Sequence, residues 1–406
     1  MSIWRDRSLR GLMSAELVSL TGTAMTFVAL PWFVAVTTGS SAKMGWVLAA
    51  ELAPVALFGI PAGTLVARLG GKRTMLLSDA ARAPLMTAIP ILFWTGHLSF
   101  GAMLAATFAV GCFAAPYYSS SRLIVPEVAG EDERAVAGVN AILGGAGQLT
   151  QIVGPVLAGV LMAVTSPAAV LCIDAGTYAF SFLTIGLVVR AGKRVEQTAQ
   201  SRGVLAGIRF LMRDRLLGPL LLLASGINFA ANGLIIGVQW LVLTSYDRNA
   251  HVLGLLFGGF GAGALIGALV AQQLTQKVEL AKLSAIGVVG LPLPIFLLAT
   301  ALPWEAALVV IAAIGFFQPL VNAPIFGILT VRTPVALRPK VLSAVMTVAS
   351  LASPLGFLAA GEALRGISVE TLFLVIAAVL LAGGLLFARV LLRNGRSAGP
   401  SVAVPA

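Results

Sequence analysis

The sequence predicts an all-α integral membrane protein whose twelve transmembrane helices form two pseudo-symmetric six-helix bundles. Three observations lead there. Apolar segments of about 20 residues or longer recur along the chain, the length a helix needs to cross a hydrocarbon core about 30 Å thick. Nearly all Lys and Arg residues fall in every second gap between these segments. A glycine pattern in the first half returns in the second. Apolar residues make up 58% of the chain and charged residues 11%, with a mean hydropathy of +0.97. A soluble domain of this size could not hide so much apolar surface. A helix satisfies its backbone groups within one segment, as lipid requires.

The predicted spans cover residues 11–37, 44–67, 74–95, 99–121, 136–163, 167–189, 216–243, 252–274, 281–301, 304–329, 341–364 and 370–392. Met1–Arg10 is a short basic lead-in. The apolar stretch after it is too long for a cleaved signal and lacks a clear cleavage site. The longest polar interval is Arg190–Arg215, which begins as a linker. Val204, Ile208, Leu211 and Leu216 then alternate with Arg209, Arg213 and Arg215, the pattern of an amphipathic helix lying at the headgroups. The expected organisation is therefore a six-helix bundle over 1–190, a cytoplasmic linker with its amphipathic helix over 191–215, a second bundle over 216–393 and a cytoplasmic tail over 394–406.

The net charge of +11 would point to nucleic acid in a soluble chain, but its distribution excludes that. Of the 27 Lys and Arg residues, only Lys43, Arg248 and Arg365 fall on one side and Arg82 within a span; the rest fall on the other side. That side is the cytoplasm by the positive-inside rule, so both termini are expected there. Cys112 and Cys172 sit inside apolar spans and read as small core residues, not as a disulfide or metal pair. No cofactor and no metal is expected.

The two halves repeat. Gly59-Ile-Pro-Ala-Gly63-Thr-Leu-Val-Ala67 aligns with Gly263-Ala-Leu-Ile-Gly267-Ala-Leu-Val-Ala271 at a constant offset of 204, and Gly154-x4-Gly159 parallels Gly356-x4-Gly361. Two six-helix halves related by an internal repeat are the layout of many secondary transporters, whose substrate site lies between the halves near the midplane. Gly259-x3-Gly263-x3-Gly267, read with Gly261, mimics a dinucleotide fingerprint. No strand precedes it and no acid follows about 20 residues later, so it reads as helix packing.

Gly63-x-Leu-x-Ala67-Arg68-x-Gly70-x-Lys72-Arg73 resembles the loop 2–3 signature of the major facilitator superfamily. Val18-Ser-Leu-Thr-Gly22, Asp79-x-x-Arg82, Ile173-Asp174, Gly207-Ile-Arg-Phe-Leu211 and Thr333-Pro-x-x-Leu-Arg338-Pro-Lys340-Val resemble its macrolide-efflux and enterobactin-exporter branch. The likeness covers essentially the whole chain and implies the major facilitator fold. It also implies a conformational-switch loop at Gly63, Arg68, Gly70, Lys72 and Arg73. There are departures. The signature usually carries an acid at Ala67, understood to lock the halves together in the outward-facing state. Pro339-Lys340 stands where the branch has Gly-Arg, and Thr150 stands where exporters commonly have Gly.

An ionisable residue at the bilayer centre costs about 2.5–3.5 kcal/mol on insertion scales, so each is a functional suspect. Asp79 and Arg82, three apart on one helix face, read as a structural ion pair. Glu51 has no basic neighbour in its own span and is the first candidate to carry a proton; hydrogen bonding to a neighbouring helix is the plain alternative. Glu16 and Asp174 are the other proton-coupling candidates, with a solvated rim position and a structural role as their alternatives. Glu16 opens a polar stripe with Ser19, Thr23 and Thr26 on the first span. The resemblance implies that spans 1, 4, 7 and 10 line the cavity. It makes Ser19, Thr23, Thr26, Tyr118, Arg122, Asn228, Asn232, Gln239, Gln318 and Asn322 the substrate-cavity candidates, against ordinary interhelical hydrogen bonding. Trp32, Phe33, Trp240, Phe316 and Phe317 would add aromatic walls, membrane-interface anchoring being equally open to the two Trp.

No Walker A sequence is present: Gly71-Lys72-Arg73 lacks the upstream Gly and the following Ser or Thr. The chain is not expected to be an enzyme. The expectation is a monomeric secondary transporter, a proton antiporter exporting a lipophilic or amphiphilic small molecule such as a drug, macrolide or siderophore. Its partners are the lipid bilayer, that substrate and protons, with no nucleic acid. Uptake by proton symport, and a non-transporting receptor or assembly relative, are the alternatives.

Overall fold

A computed structural model of the chain describes residues 6–129, 133–190, 209, 211–212, 217–333 and 337–395. The described backbone is helical, with no strand among those residues. The first six helices are α1 (Arg7–Thr38), α2 (Ser41–Leu69), α3 (Gly71–Trp94), α4 (Phe100–Ala129), α5 (Glu133–Val164) and α6 (Pro167–Leu187). The second set is α7 (Leu217–Ser245), α8 (Ala250–Leu274), α9 (Leu280–Gly290), α10 (Pro292–Leu298), α11 (Trp304–Arg332), α12 (Arg338–Ala363) and α13 (Val369–Gly395). Among the described residues, 11 stretches are long and apolar enough to cross a membrane, α9 and α10 together forming one of them. The remaining predicted span, 341–364, falls on the 26-residue helix α12.

Local chemistry sets the boundaries. Asp6 caps α1 by accepting from the amides of Ser8 and Leu9, satisfying donors that have no partner within the helix. Gly39, at φ 61, ends α1, and Ser40 at once caps α2 by accepting from the Lys43 amide. The predicted span 281–301 is broken in two at Leu291–Pro292. Pro292 and Pro294 supply no N–H to the helical ladder. Helix α4 runs to Ala129, well past its predicted span, carrying Glu127 beyond the apolar stretch.

The chain divides into two compact units, Met1–Ser201 with Val242–Gly258, and Arg202–Leu241 with Gly259–Ala406. In the first unit α1 packs on α6 and α5, α2 on α4, and α3 on both α4 and α6. The beginning of α8 joins this unit because Gly254 brings its backbone against Gly159 of α5. In the second unit α9 packs on α11 and α13. A glycine ridge also sets α8 against α11: a methyl group on Gly263 would strike the Ala312 carbonyl, and one on Gly267 the Phe316 carbonyl. Small residues every four positions are what such backbone approach needs.

The internal repeat is physical. Gly154 of α5 meets Ala24 and the Thr21 carbonyl of α1, and Gly356 of α12 meets the Phe229 carbonyl of α7. The same helix crossing is therefore made once in each unit, with glycine where the backbones touch. The amphipathic helix expected over 204–216 lies mostly outside the described residues. Its Leu211 is buried in a cluster with Leu217, Leu221, Leu329 and Val341.

Candidate functional site

Charge is buried in the first unit alone among the described residues. Glu16, Asp79, Arg82 and Asp174 are all buried there. The second unit buries Gln239, Ser284 and Thr333 but no charged side chain among the described residues. A charge removed from water is costly unless paired and hydrogen-bonded, so the partners of these four groups define the site.

Arg82 of α3 is 1% exposed and bonds Asp79 through Nη2 to Oδ1 at 2.5 Å. Its guanidinium lies 4.0 Å from the ring centroid of Tyr117 on α4 and 4.3 Å from that of Tyr178 on α6. Aromatic faces attract a guanidinium, more strongly where water is excluded. The Tyr117 hydroxyl meets Ser181 Oγ at 3.4 Å. Two polar atoms of the ion pair, Asp79 Oδ2 and Arg82 Nε, are buried with no hydrogen-bond partner among the described residues.

Asp174 of α6 is fully buried and well served. Thr26 of α1 donates to its Oδ2 at 2.6 Å, and Thr177 donates to its Oδ1 at 3.1 Å. Helices α1 and α6 come this close because Gly22 has no side chain: a methyl there would strike both Asp174 Oδ1 and Thr177 Oγ1. Thr23, one turn before Thr26, meets the Tyr178 hydroxyl at 3.3 Å. Ser19 is buried as well, its backbone carbonyl accepting from Thr23. The polar stripe of α1 is thus turned to α6 at Thr23 and Thr26.

Glu51 of α2 is placed differently. Its Oε2 is buried without a hydrogen-bond partner among the described residues, and Asp174 is the acid whose charge bears on it. Glu16 is 4% exposed and acts electrostatically on Tyr117 and Tyr118. Tyr118 is 38% exposed, the open member of the group. Asp79 and Asp174 therefore neighbour one buried cation, and Glu16 and Glu51 neighbour the tyrosines and the acid beside it.

Sequence patterning alone does not single out Tyr117, Tyr178, Thr177 or Ser181. One signal for them exists: three of the four tyrosines in the chain gather here. The remaining candidates are dispersed. In the second unit the Asn232 amide donates to the Asn228 side chain at 2.5 Å and to Ser353 Oγ of α12 at 3.2 Å. Gln239 is buried, with no hydrogen-bond partner on either amide atom among the described residues, while Gln318 and Asn322 are exposed. The side chain of Arg122, and Gly63, lie outside what the structure describes.

The α2–α3 loop is held to its own unit. Gly70 adopts φ 87 and ψ 157, a backbone state essentially reserved for glycine. The Gly71 amide donates to Glu127 Oε1 at 3.3 Å. Lys72 Nζ donates to the Gly186 carbonyl at 3.1 Å and the Val189 carbonyl at 2.6 Å, a cation at the negative end of α6. Arg68 and Arg73 are exposed. Arg68 also borders an apolar recess of about 340 Å³ between α2 and α4, lined by Phe58, Pro61, Leu65, Cys112 and Pro116.

Comparison with known proteins places this geometry in context. The family model for transmembrane secretion effectors matches residues 2–404. The multidrug efflux pump Tap of Mycolicibacterium fortuitum is 27% identical over 386 residues, covering 92% of this chain and 93% of that protein. The enterobactin exporter EntS of Salmonella typhimurium is 25% identical over 335 residues, covering 80% and 78%. Among solved structures, the nucleoside transporter NupG superposes with a TM-score of 0.79 at 13% identity, covering 94% of this chain and 98% of that one. A bacterial homologue of the lysosomal transporter Spinster, inward-facing and unoccupied, gives 0.68 at 16% identity, covering 97% and 96%.

Proposed function

Because the chain belongs to the transmembrane secretion effector family of the major facilitator superfamily, we propose that this multi-pass membrane transporter exports a lipophilic or amphiphilic small molecule by proton antiport and alternating access. It works in the bacterial inner membrane with both termini in the cytoplasm. Relatives named as a multidrug efflux pump and an enterobactin exporter support the direction and the breadth of substrate. The apolar recess bordered by Arg68 supports an amphiphile.

The observation that carries the coupling is the buried Glu51 Oε2, which has no hydrogen-bond partner among the described residues. Its neighbour Asp174 has hydroxyl donors on both oxygens, so that carboxylate is held in place. Glu51, without such a donor on Oε2 among the described residues, is the acid we assign to exchange a proton. The cluster has one buried cation against the carboxyls of Glu16, Glu51, Asp79 and Asp174, and proton uptake relieves that excess of negative charge. A charge crossing 100 mV gains about 2.3 kcal/mol, and each pH unit adds about 1.4 kcal/mol. One carboxyl loading outside and releasing inside is enough to draw on both.

Accumulation of radiolabelled erythromycin and of ethidium in efflux-deficient bacteria tests the reading. Expression of the chain lowers accumulation of at least one probe, and a protonophore restores it. Equal accumulation with and without the membrane-inserted protein, for both probes, would count against export of this substrate class.

A further inference from the structure

We propose that Arg82 is the positioning residue of the coupling: its guanidinium, held between two tyrosine rings and bonded to Asp79 through one nitrogen, fixes the charge against which the acids of the first unit exchange protons. This rests on the proton-coupled reading above.

The geometry separates Arg82 from an ordinary helix staple. A buried ion pair kept only for structure is stable when its remaining donors and acceptors are satisfied. Here Arg82 Nε and Asp79 Oδ2 are both buried with no hydrogen-bond partner among the described residues. The pair is bonded through Nη2 and Oδ1, and the tyrosine rings at 4.0 and 4.3 Å add to the hold on the cation. The arrangement fixes a positive charge in space while leaving its hydrogen-bonding capacity partly unused.

That charge bears on groups of α3, α4 and α6. Asp79 lies on its own helix, Tyr117 and Tyr118 face it from α4, and Asp174 and Tyr178 face it from α6. Glu16 on α1 acts on Tyr117 and Tyr118, and Glu51 on α2 acts on Tyr118. No other buried cation exists among the described residues. An acid beside a fixed cation gives up its proton more readily than one without it. Removing Arg82 together with Asp79 leaves no orphaned charge, but it takes the cation away from Asp174.

The test needs no substrate. Infrared difference spectra of the purified full-length protein report the carbonyl band of protonated carboxyls as pH is varied. Glu51→Gln and Asp174→Asn assign that band. The double variant Asp79→Asn with Arg82→Gln is expected to unfold near the wild-type temperature and to move the band's pH midpoint to the alkaline side by about one unit or more. Arg82→Lys, which keeps the charge and loses the planar stacking, is expected to stay nearer the wild-type midpoint. A folded double variant with an unchanged midpoint would overturn the role of Arg82 while leaving the coupling reading intact. If neither assignment variant alters any titrating band in the wild-type background, the coupling reading itself falls, and the role of Arg82 with it.

Discussion

Thr26 on α1 donates a 2.6 Å hydrogen bond to Asp174 on α6, across 148 residues of sequence. It ties the polar stripe of the first helix to the acid of the sixth. Thr26→Val keeps the shape and removes the donor. Hydrogen bonds to charged groups contribute about 1.5–3 kcal/mol, and interhelical ones in membranes average about 0.6 kcal/mol. A loss of about 1–2 kcal/mol is expected, between those two ranges, read as a thermal midpoint lower by a few degrees in detergent.

Gly22→Ala is the harsher change at the same crossing, because the new methyl meets both Asp174 Oδ1 and Thr177 Oγ1. Overpacking costs typically about 1–3 kcal/mol, and here it also displaces a clamped carboxylate. Poor yield of monodisperse protein is expected, whereas Gly59→Ala, with open space around it, is expected to express normally. Equal yields from the two would contradict the packing of α1 on α6.

Glu51→Gln removes the titrating group and keeps the size of the side chain. Normal folding with loss of pH-driven flux is expected, while Thr107→Val, on a buried hydroxyl that bonds the Met103 carbonyl of its own helix, is expected to leave pH-driven flux in place. Counterflow of labelled ethidium without a pH gradient separates the two effects: it persists in Glu51→Gln if the substitution uncouples, and fails if the substrate path itself is damaged.

Gly70→Ala places a side chain at φ 87 and ψ 157. Strain of about 1–3 kcal/mol is expected. Lys72→Met removes both bonds to the end of α6. Lys72 is partly solvated, so a loss near about 1 kcal/mol is expected, with faster hydrogen exchange at the last turn of α6. Unchanged exchange there would mean that Lys72 does not hold that end.

The fold is largely legible in the sequence because its signals are local. Length and apolarity mark each span, and the repeat alone pairs Gly154 with Gly356, two glycines that each fall where helix backbones touch. The break at Pro292 is visible as a residue but not as an interruption, since apolarity continues across it. The site is legible only within single helices. Asp79 and Arg82, three apart, are neighbours on one face, whereas the tyrosines on either side of Arg82 arrive from α4 and α6, and no spacing rule connects residues 82, 117 and 178. The α1 stripe is visible as a polar face, but which helix that face meets depends on tertiary packing. Ala67 by itself suggests a weakened link between halves. Within the first unit the same loop is tied by Lys72 and Glu127, residues the signature alone does not connect.

Proton flux coupled to substrate is the measurement closest to the central claim. Proteoliposomes holding a pH indicator are given ethidium or erythromycin with no imposed gradient, and lumenal pH is followed. Proton antiport predicts a substrate-dependent pH change that Glu51→Gln abolishes and a protonophore collapses. Substrate movement without any pH change, or a pH change of equal size in Glu51→Gln, would contradict it.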